Sequence, residues 1–277
     1  MMSTSMPQQP IHVASGEQKI TRCRLVAKTT LCEEDERGEP VRRFVFQSPP
    51  DHPMASDAAL RQVIVLNALG VRRMYSPTSS PCRTDGTFEL VLRVYRHGYV
   101  SRWLDAKLVG ETVDMTFPWP SPLPLDRRNP GQHVGLIAFG IGITELYRTA
   151  VQELADANVG EVVLLYATRT LAEQGILADE LAVLVKSEPH RFRLEQLVSR
   201  ESVPGMHHGR IDSQLLEKVF PWSQHDRDTT GVRFMVAGTK QMMQTTHRHL
   251  EKLGYRPDVY KLIRDLKIPA AHGVSKL

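Results

Sequence analysis

Residues 71–81 read VRRMYSPTSSP, and within them Arg73, Tyr75 and Ser76 set a cation, an aromatic plane and a hydroxyl almost side by side. Such a set suits contact with an anionic group. Serine and proline also favour turns, so an exposed strand running into a Ser/Pro turn explains the stretch equally well from these residues alone. Farther on, AFGIGITE places Gly140, Gly142 and Thr144 between an apolar run and an amphipathic one. A glycine-bearing strand-to-helix turn of this kind can bring backbone close to a phosphate. Ser101 precedes Trp103, Leu104 and Leu108, with Gly110 as the stop, which predicts a helix over SRWLDAKLVG with Ser101 at its N-cap. The histidine pairs His207 with His208 and His247 with His249 lack the i, i+4 spacing of zinc-binding helices, so no metal is expected.

The elements that must position these residues change rhythm part-way along the chain. ITRCRLVAKTTL, VRRFVFQ, ALRQVIVLNAL and GTFELVLRVYR are β-branched or aromatic-bearing runs separated by Gly, Pro, Asp and Ser clusters, which predicts an antiparallel β-barrel. After the proline-rich PWPSPLPLDRRNPG, four apolar strands (HVGLIAFG, EVVLLYAT, FRLEQLVS, VRFMVAG) alternate with amphipathic helices. That pattern predicts a parallel sheet covered on both faces. The resulting division is a loose segment 1–18, a barrel domain 19–120, a connection 121–131, an α/β domain 132–262 and a tail 263–277. Helical character is expected to persist through KLIRDLKI before Pro269 and Gly273 interrupt it.

Composition narrows the function classes. With 35 Lys and Arg against 31 Asp and Glu, the excess of +4 is mild and dispersed, which favours small anionic groups over nucleic acid. Cys23, Cys32 and Cys82 are odd in number and widely spaced, so neither a disulfide framework nor a Cys-only zinc site is expected, and a reducing compartment is. No apolar run approaches the ~20 residues of a membrane span, and MMSTSMPQQP lacks the apolar core of a secretory signal. The expectation is a monomer without a membrane anchor.

Five segments, in order, carry a resemblance to a known family. RRMYSPTS resembles an Arg-x-Tyr-Ser/Thr-Pro flavin motif, and ELVLRVYRHGYVSRWL a Lys-Val-Tyr segment followed by Gly-Lys-Met-Ser. LIAFGIGITELY resembles Ile-Ala-Gly-Gly-Thr-Gly-Ile-Thr-Pro, VVLLYATRT a strand ending Tyr-Ala-Asn-x-Thr, and FMVAGTKQMM a Cys-Gly-Pro-Pro-x-Met segment. From about Lys19 to Tyr260 the chain is similar to the NADH-cytochrome b5 reductase family, within the ferredoxin reductase-like flavoproteins. The resemblance implies a Greek-key FAD-binding barrel, a doubly wound NAD(P)-binding domain, and hydride transfer from NADH or NADPH to FAD. Single electrons would then pass to a cytochrome b5-like haem protein or another one-electron acceptor.

The resemblance also implies site residues. Arg73 would grip the FAD pyrophosphate with its fixed guanidinium fork. Met74 shares that motif, Tyr75 would lie against the flavin and ribityl chain, and Ser76 would reach the flavin N5 edge. Val91, Arg93 and Tyr95 match Lys-Val-Tyr and its preceding strand; Arg93 would keep a positive charge beside the flavin, though alone it reads as a solvated strand-edge arginine. Tyr99 and Val100 would offer backbone N–H groups, with Ser101, to the pyrophosphate. Gly140, Gly142, Thr144, Gly238 and Met242 fall at nucleotide-binding positions. Phe139, Ile141, Glu145 and Ala237 replace the family's glycine, threonine, proline and cysteine, which opens an alternative: a weakly active or non-catalytic flavoprotein with a degenerate nicotinamide site.

Ser275, Lys276 and Leu277 match a peroxisomal import signal, implying an import receptor as partner and a peroxisome or its glycosome relative as the location, with the cytoplasm as alternative. Deleting these three residues is expected to leave folding intact and shift an untagged-tail fusion from organelle puncta to the cytosol. A full-length protein that images as diffuse would overturn the assignment.

Overall fold

Period-2 alternation in ITRCRLVAKTTLC turns Thr21, Cys23 and Leu25 inward and leaves Ile20, Arg22 and Arg24 exposed. This segment is β1 (Ile20–Cys32) in a computed structural model that describes residues 20–33, 39–50, 62–66, 70–79, 83, 85–119, 133–222, 232–255 and 260–262. The segments expected at 1–18, 121–131 and 263–277, with Cys82 and Ser275–Leu277, lie outside the described residues. With β2 (Val41–Gln47), β3 (Gln62–Leu66), β4 (Arg72–Tyr75), β5 (Thr87–Arg93) and β6 (Thr112–Trp119), β1 forms an antiparallel sheet ordered β4-β3-β6-β1-β2-β5. Its edges meet where Pro77, just past β4, bridges to Leu90 of β5 and the Thr78 N–H donates to the Glu89 carbonyl at 2.9 Å. That contact closes the expected barrel. Phe44, Phe46, Phe88, Leu90 and Met115 fill it, and Phe46 stacks on Phe88 at 5.6 Å. Cys23 lies in the same core; burial, with the Asp114 charge adding, pushes its thiol up to about 12, so it stays protonated and inert.

Three details of this half differ from expectation. Arg73 and Tyr75 do not end the strand that begins at VIVLNALG. Gly70, at φ +73, turns the chain, and β4 returns along β3 with Arg73 opposite Val65 and Tyr75 opposite Val63. TVDMTFPW forms β6, although no strand was expected there; Val113 and Met115 point inward with the period of a strand. The helix α1 (Tyr99–Asp105) starts two residues before Ser101, so Gly98 is the N-cap and Ser101 lies inside the first turn.

The second half alternates as the apolar runs require. β7 (His133–Phe139), α2 (Ile143–Leu154), β8 (Glu161–Thr168), α3 (Leu171–Gln174), α4 (Ala178–Ser187), β9 (Phe192–Val198), β10 (His207–His208), α5 (Ser213–Val219), β11 (Val232–Ala237), α6 (Lys240–Lys252) and β12 (Tyr260–Leu262) follow in order. The sheet is parallel throughout, ordered β10-β9-β8-β7-β11-β12. It has two more strands than the four expected. β10 and β12 are edge strands of two and three residues, too short to show a hydrophobic period. The helix expected at KLIRDLKI is therefore corrected at its start: Tyr260–Leu262 pairs with Phe234–Val236 of β11 as a strand. Among the described residues no helix is long and apolar enough to cross a membrane.

One hydrophobic cluster spans the two halves. Val41 and Val91, on the outside of the barrel, pack with Val134, Leu136, Ile143, Tyr166 and Leu177. Two ion pairs stitch the same seam. Arg93 donates to Glu173 Oε1 at 2.8 Å and to the Glu39 carbonyl at 3.2 Å, and Arg43 pairs with Glu180. Arg93 is only 7% exposed, so the reading as a solvated strand-edge arginine is corrected.

Candidate functional site

The strand order places β8, β9 and β10 on one side of β7 and β11 and β12 on the other. Ligands of open α/β sheets bind outside the C-terminal strand ends where the order reverses, here between β7 and β11. Gly140 takes φ +51 there and opens a single helical turn, Gly140–Gly142, into α2. A Cβ on Gly142 would lie 2.5 Å from the Ala237 carbonyl oxygen, so only glycine lets this turn approach the end of β11. Thr144 Oγ1 donates to the Ile141 carbonyl at 3.0 Å, and Glu145 is buried. Thr239 caps α6, accepting from the Met242 N–H at 3.3 Å, and Met242 itself is exposed. The turn could therefore accept a phosphate against its backbone, but one side chain stands in the way. A Cβ on Gly238 would lie 2.9 Å from Phe139 Cβ and Cδ2, which means that the Phe139 side chain packs against Gly238 at the ends of β7 and β11.

A second set of the expected residues lies on β4 and around the start of α1. Arg73 is exposed, and its guanidinium donates to the Arg72 carbonyl at 2.7 Å. Tyr75, beside it, is half-buried. Burial raises its phenol pKa; the Arg73 charge opposes that rise and Tyr95 adds to it. Tyr95 in turn donates its N–H to Ser101 Oγ at 3.2 Å. Ser101 and Val100 are buried, while Tyr99 is 70% exposed at the first position of α1. The first-turn N–H groups of a helix have no partner within it. Beside this helix start lie two open hollows of about 440 and 410 Å³ that share His97 and Arg102.

The structure places Arg73, Met74 and Tyr75 on β4, with Met74 half-buried and Ser76 half-buried just beyond it, and Tyr99, Val100 and Ser101 at the start of α1, where Ser101 holds the Tyr95 N–H. It gathers Gly140, Gly142, Thr144, Gly238 and Met242 separately at the sheet's switch point. It does not bring Val91 or the Arg93 guanidinium to either set: both are spent on the seam between the sheets. His97, which lines both hollows, was not singled out from the sequence, though RHGYVSRW holds it just before the helix that carries Arg102 and Trp103. Among the described residues no group of three or more His, Cys, Asp or Glu is placed to hold a metal.

Residues 23–120 match the oxidoreductase FAD-binding domain and residues 136–248 the oxidoreductase NAD-binding domain. NADH-cytochrome b5 reductase 1 of Mycosarcoma maydis is 30% identical over 236 residues, covering 81% of this chain and 68% of that protein. The chain belongs to the NADH-cytochrome b5 reductase family. The Candida glabrata NADH-cytochrome b5 reductase 1 is 26% identical over 233 residues, covering 81% of this chain and 78% of its own. The cytochrome b5 reductase domain of Ulva prolifera nitrate reductase superposes with a TM-score of 0.72 at 25% identity, over 90% of this chain and 98% of that one. Members of the family are FAD-dependent NADH oxidoreductases, and this reductase carries both of their domains. Arg73, exposed and cationic, is chemically suited to an anionic group such as a pyrophosphate.

Proposed function

We propose that this reductase holds FAD between β4 and the start of α1, takes hydride onto it from NADH or NADPH, and hands electrons singly to a haem protein of the cytochrome b5 type. The observation that carries this reading is the match of residues 23–120 to the FAD-binding domain, within which Arg73 stands exposed on β4 and Ser101 holds the Tyr95 N–H at the start of α1. When bound, FAD supplies the conversion of a two-electron donor into one-electron steps. Arg73 binds the pyrophosphate through its planar fork, and the Tyr99 and Val100 N–H groups add donors at the helix start. Ser101 spends its hydroxyl on the Tyr95 N–H and so fixes the turn that presents those donors. Tyr75, its phenol pKa raised by burial, stays protonated at neutral pH and orients the flavin and ribityl chain as a hydrogen-bond donor. Ser76 sits next to it, where its hydroxyl would meet the N5 edge.

Relatives named for cytochrome b5 support the acceptor. An oxygenase-linked acceptor differs only in the partner. Import through Ser275–Lys276–Leu277 remains part of the proposal on the sequence match alone. A second reading, a flavoprotein with a weakened nicotinamide site, is favoured by one observation, the Phe139 side chain against Gly238. The deciding experiment is an absorption spectrum of the purified protein followed by anaerobic titration with NADH and NADPH. A protein that is colourless and cannot be reconstituted with FAD overturns both readings.

Arg73→Ala is expected to weaken FAD binding by about 1.5–3 kcal/mol, the range for a charge-assisted hydrogen bond. Because Arg73 is exposed on β4, the barrel should melt as before when apo forms are compared. Equilibrium titration of apo-protein by flavin fluorescence quenching measures the loss; an unchanged Kd would remove Arg73 from the site.

A further inference from the structure

Going out from the switch point, β8, β9 and β10 end in register, with Thr168 beside Val198 and Val198 beside His208. The residues just beyond these ends stay side by side. Ser199 N–H donates to the Thr168 carbonyl at 3.0 Å, Arg200 N–H to the Arg169 carbonyl at 3.0 Å, and Gly209 N–H to the Val198 carbonyl at 3.3 Å. Adjacent strands run about 4.8 Å apart. Arg169, Arg200 and Arg210 therefore leave three neighbouring strands at the same edge of the sheet, and Arg200 and Arg210 are exposed.

The chemistry of a dinucleotide gives this edge a meaning. In nucleotide-binding α/β domains the strand after the glycine turn ends near the adenosine ribose. An acidic side chain there accepts from the 2′-hydroxyl of NAD, whereas an arginine accommodates the 2′-phosphate of NADP. Here Arg169 follows directly on the end of β8. Of the nearby carboxylates, Glu173 Oε1 binds Arg169 at 2.7 Å and Arg93 at 2.8 Å, and Glu201 Oε2 accepts from the Leu171 N–H at 2.7 Å. His208 is exposed at the end of β10 with Nδ1 2.8 Å from the Glu201 carbonyl oxygen, so this nitrogen is the donor and carries the proton. Guanidinium forks suit a dianionic phosphate and have nothing to accept from a ribose hydroxyl.

We propose that the C-terminal ends of β8, β9 and β10 form a 2′-phosphate subsite, with Arg200 and Arg210 as its direct ligands, so that this reductase prefers NADPH to NADH. The preference separates it from relatives whose names specify NADH. It rests on the reading above that a nicotinamide nucleotide crosses the ends of this sheet.

Adenosine 2′,5′-bisphosphate and ADP test it without involving Phe139, since neither carries a nicotinamide and they differ in where the second phosphate sits. Isothermal titration of the FAD-loaded reductase is expected to show the 2′,5′-bisphosphate binding at least about tenfold tighter than ADP, the scale of one charge-assisted contact. Arg200→Ala and Arg210→Ala, both at exposed positions, should each shrink that ratio, with Arg200→Lys keeping part of it. Equal affinity for the two probes overturns the phosphate subsite and leaves the nucleotide site standing. A preference that survives both alanine variants overturns the assignment to these arginines. If neither probe binds, and NAD⁺ and NADP⁺ do not bind either, the nucleotide reading fails and the inference fails with it.

Discussion

Replacing Glu173 by alanine is expected to destabilise the folded chain by about 3–5 kcal/mol, the cost of removing one partner from a buried ion pair. Its side chain is 3% exposed and that of Arg93 is 8% exposed. One carboxylate oxygen takes Arg93 and Arg169 at 2.8 and 2.7 Å, and the other takes the Arg169 N–H at 3.0 Å. Alanine would leave the Arg93 charge buried without its counter-ion. The double variant Glu173→Leu with Arg93→Met should recover most of the loss, because apolar groups of similar volume can replace a whole buried pair at little cost. Urea unfolding of both variants measures this, and a single variant within about 1 kcal/mol of the parent would sink the account.

The same pair fixes a pH dependence. Burial alone would raise the Glu173 carboxyl, but the Arg169 hydrogen bonds and the Arg93 and Arg169 charges outweigh it and hold the group below its ordinary value of 4.5. A depressed folded-state pKa adds stability that is complete above the unfolded value and is lost as pH falls through the folded one. The gap in melting temperature between parent and Glu173→Ala should therefore be constant near neutrality and close in acid, below about pH 4.5.

Phe139→Gly is expected to raise the second-order rate of FAD reduction by nicotinamide nucleotide roughly 100-fold, about 2.7 kcal/mol at the transition state. The parent must swing the Phe139 ring off Gly238 before a nucleotide can touch the backbone there, so only the fraction with the ring displaced is competent and the apparent affinity falls by that fraction. Chemical reduction by dithionite bypasses the site and should be equally fast in both proteins. Adding Ile141→Thr, Glu145→Pro and Ala237→Cys restores the family's other residues and should extend the gain. Stopped-flow bleaching of the flavin gives the rates; a parent reduced rapidly at micromolar nucleotide would show that the ring is no barrier.

Much of this architecture is legible in the residues. VRRFVFQ and EVVLLYAT form strands over their quoted lengths because their patterns, alternating in one and continuously apolar in the other, admit few other structures. The flavin motif is legible as residue types, yet Gly70 was needed to show that Arg73 and Tyr75 stand on their own returning strand. β10 and β12 escape because two or three residues cannot carry a period. The role of Arg93 escapes for another reason: its partner, Glu173, is 80 residues away in helix α3 of the other half, and nothing local marks two residues as a pair across a seam. Phe139 was visible as a departure, but only the closeness of Gly238 shows what the ring does.

The seam has a bearing on motion. Where two domains meet through a thin polar interface, a ligand can be admitted by hinge opening on the microsecond to millisecond scale. Here Val41 and Val91 are embedded in the same packed cluster as Val134 and Tyr166, with Arg93 and Arg43 anchored across it. A hinge would have to tear that cluster open. Turning the Phe139 side chain about its own bonds leaves that packing and both ion pairs in place, and is the expected route to the switch point.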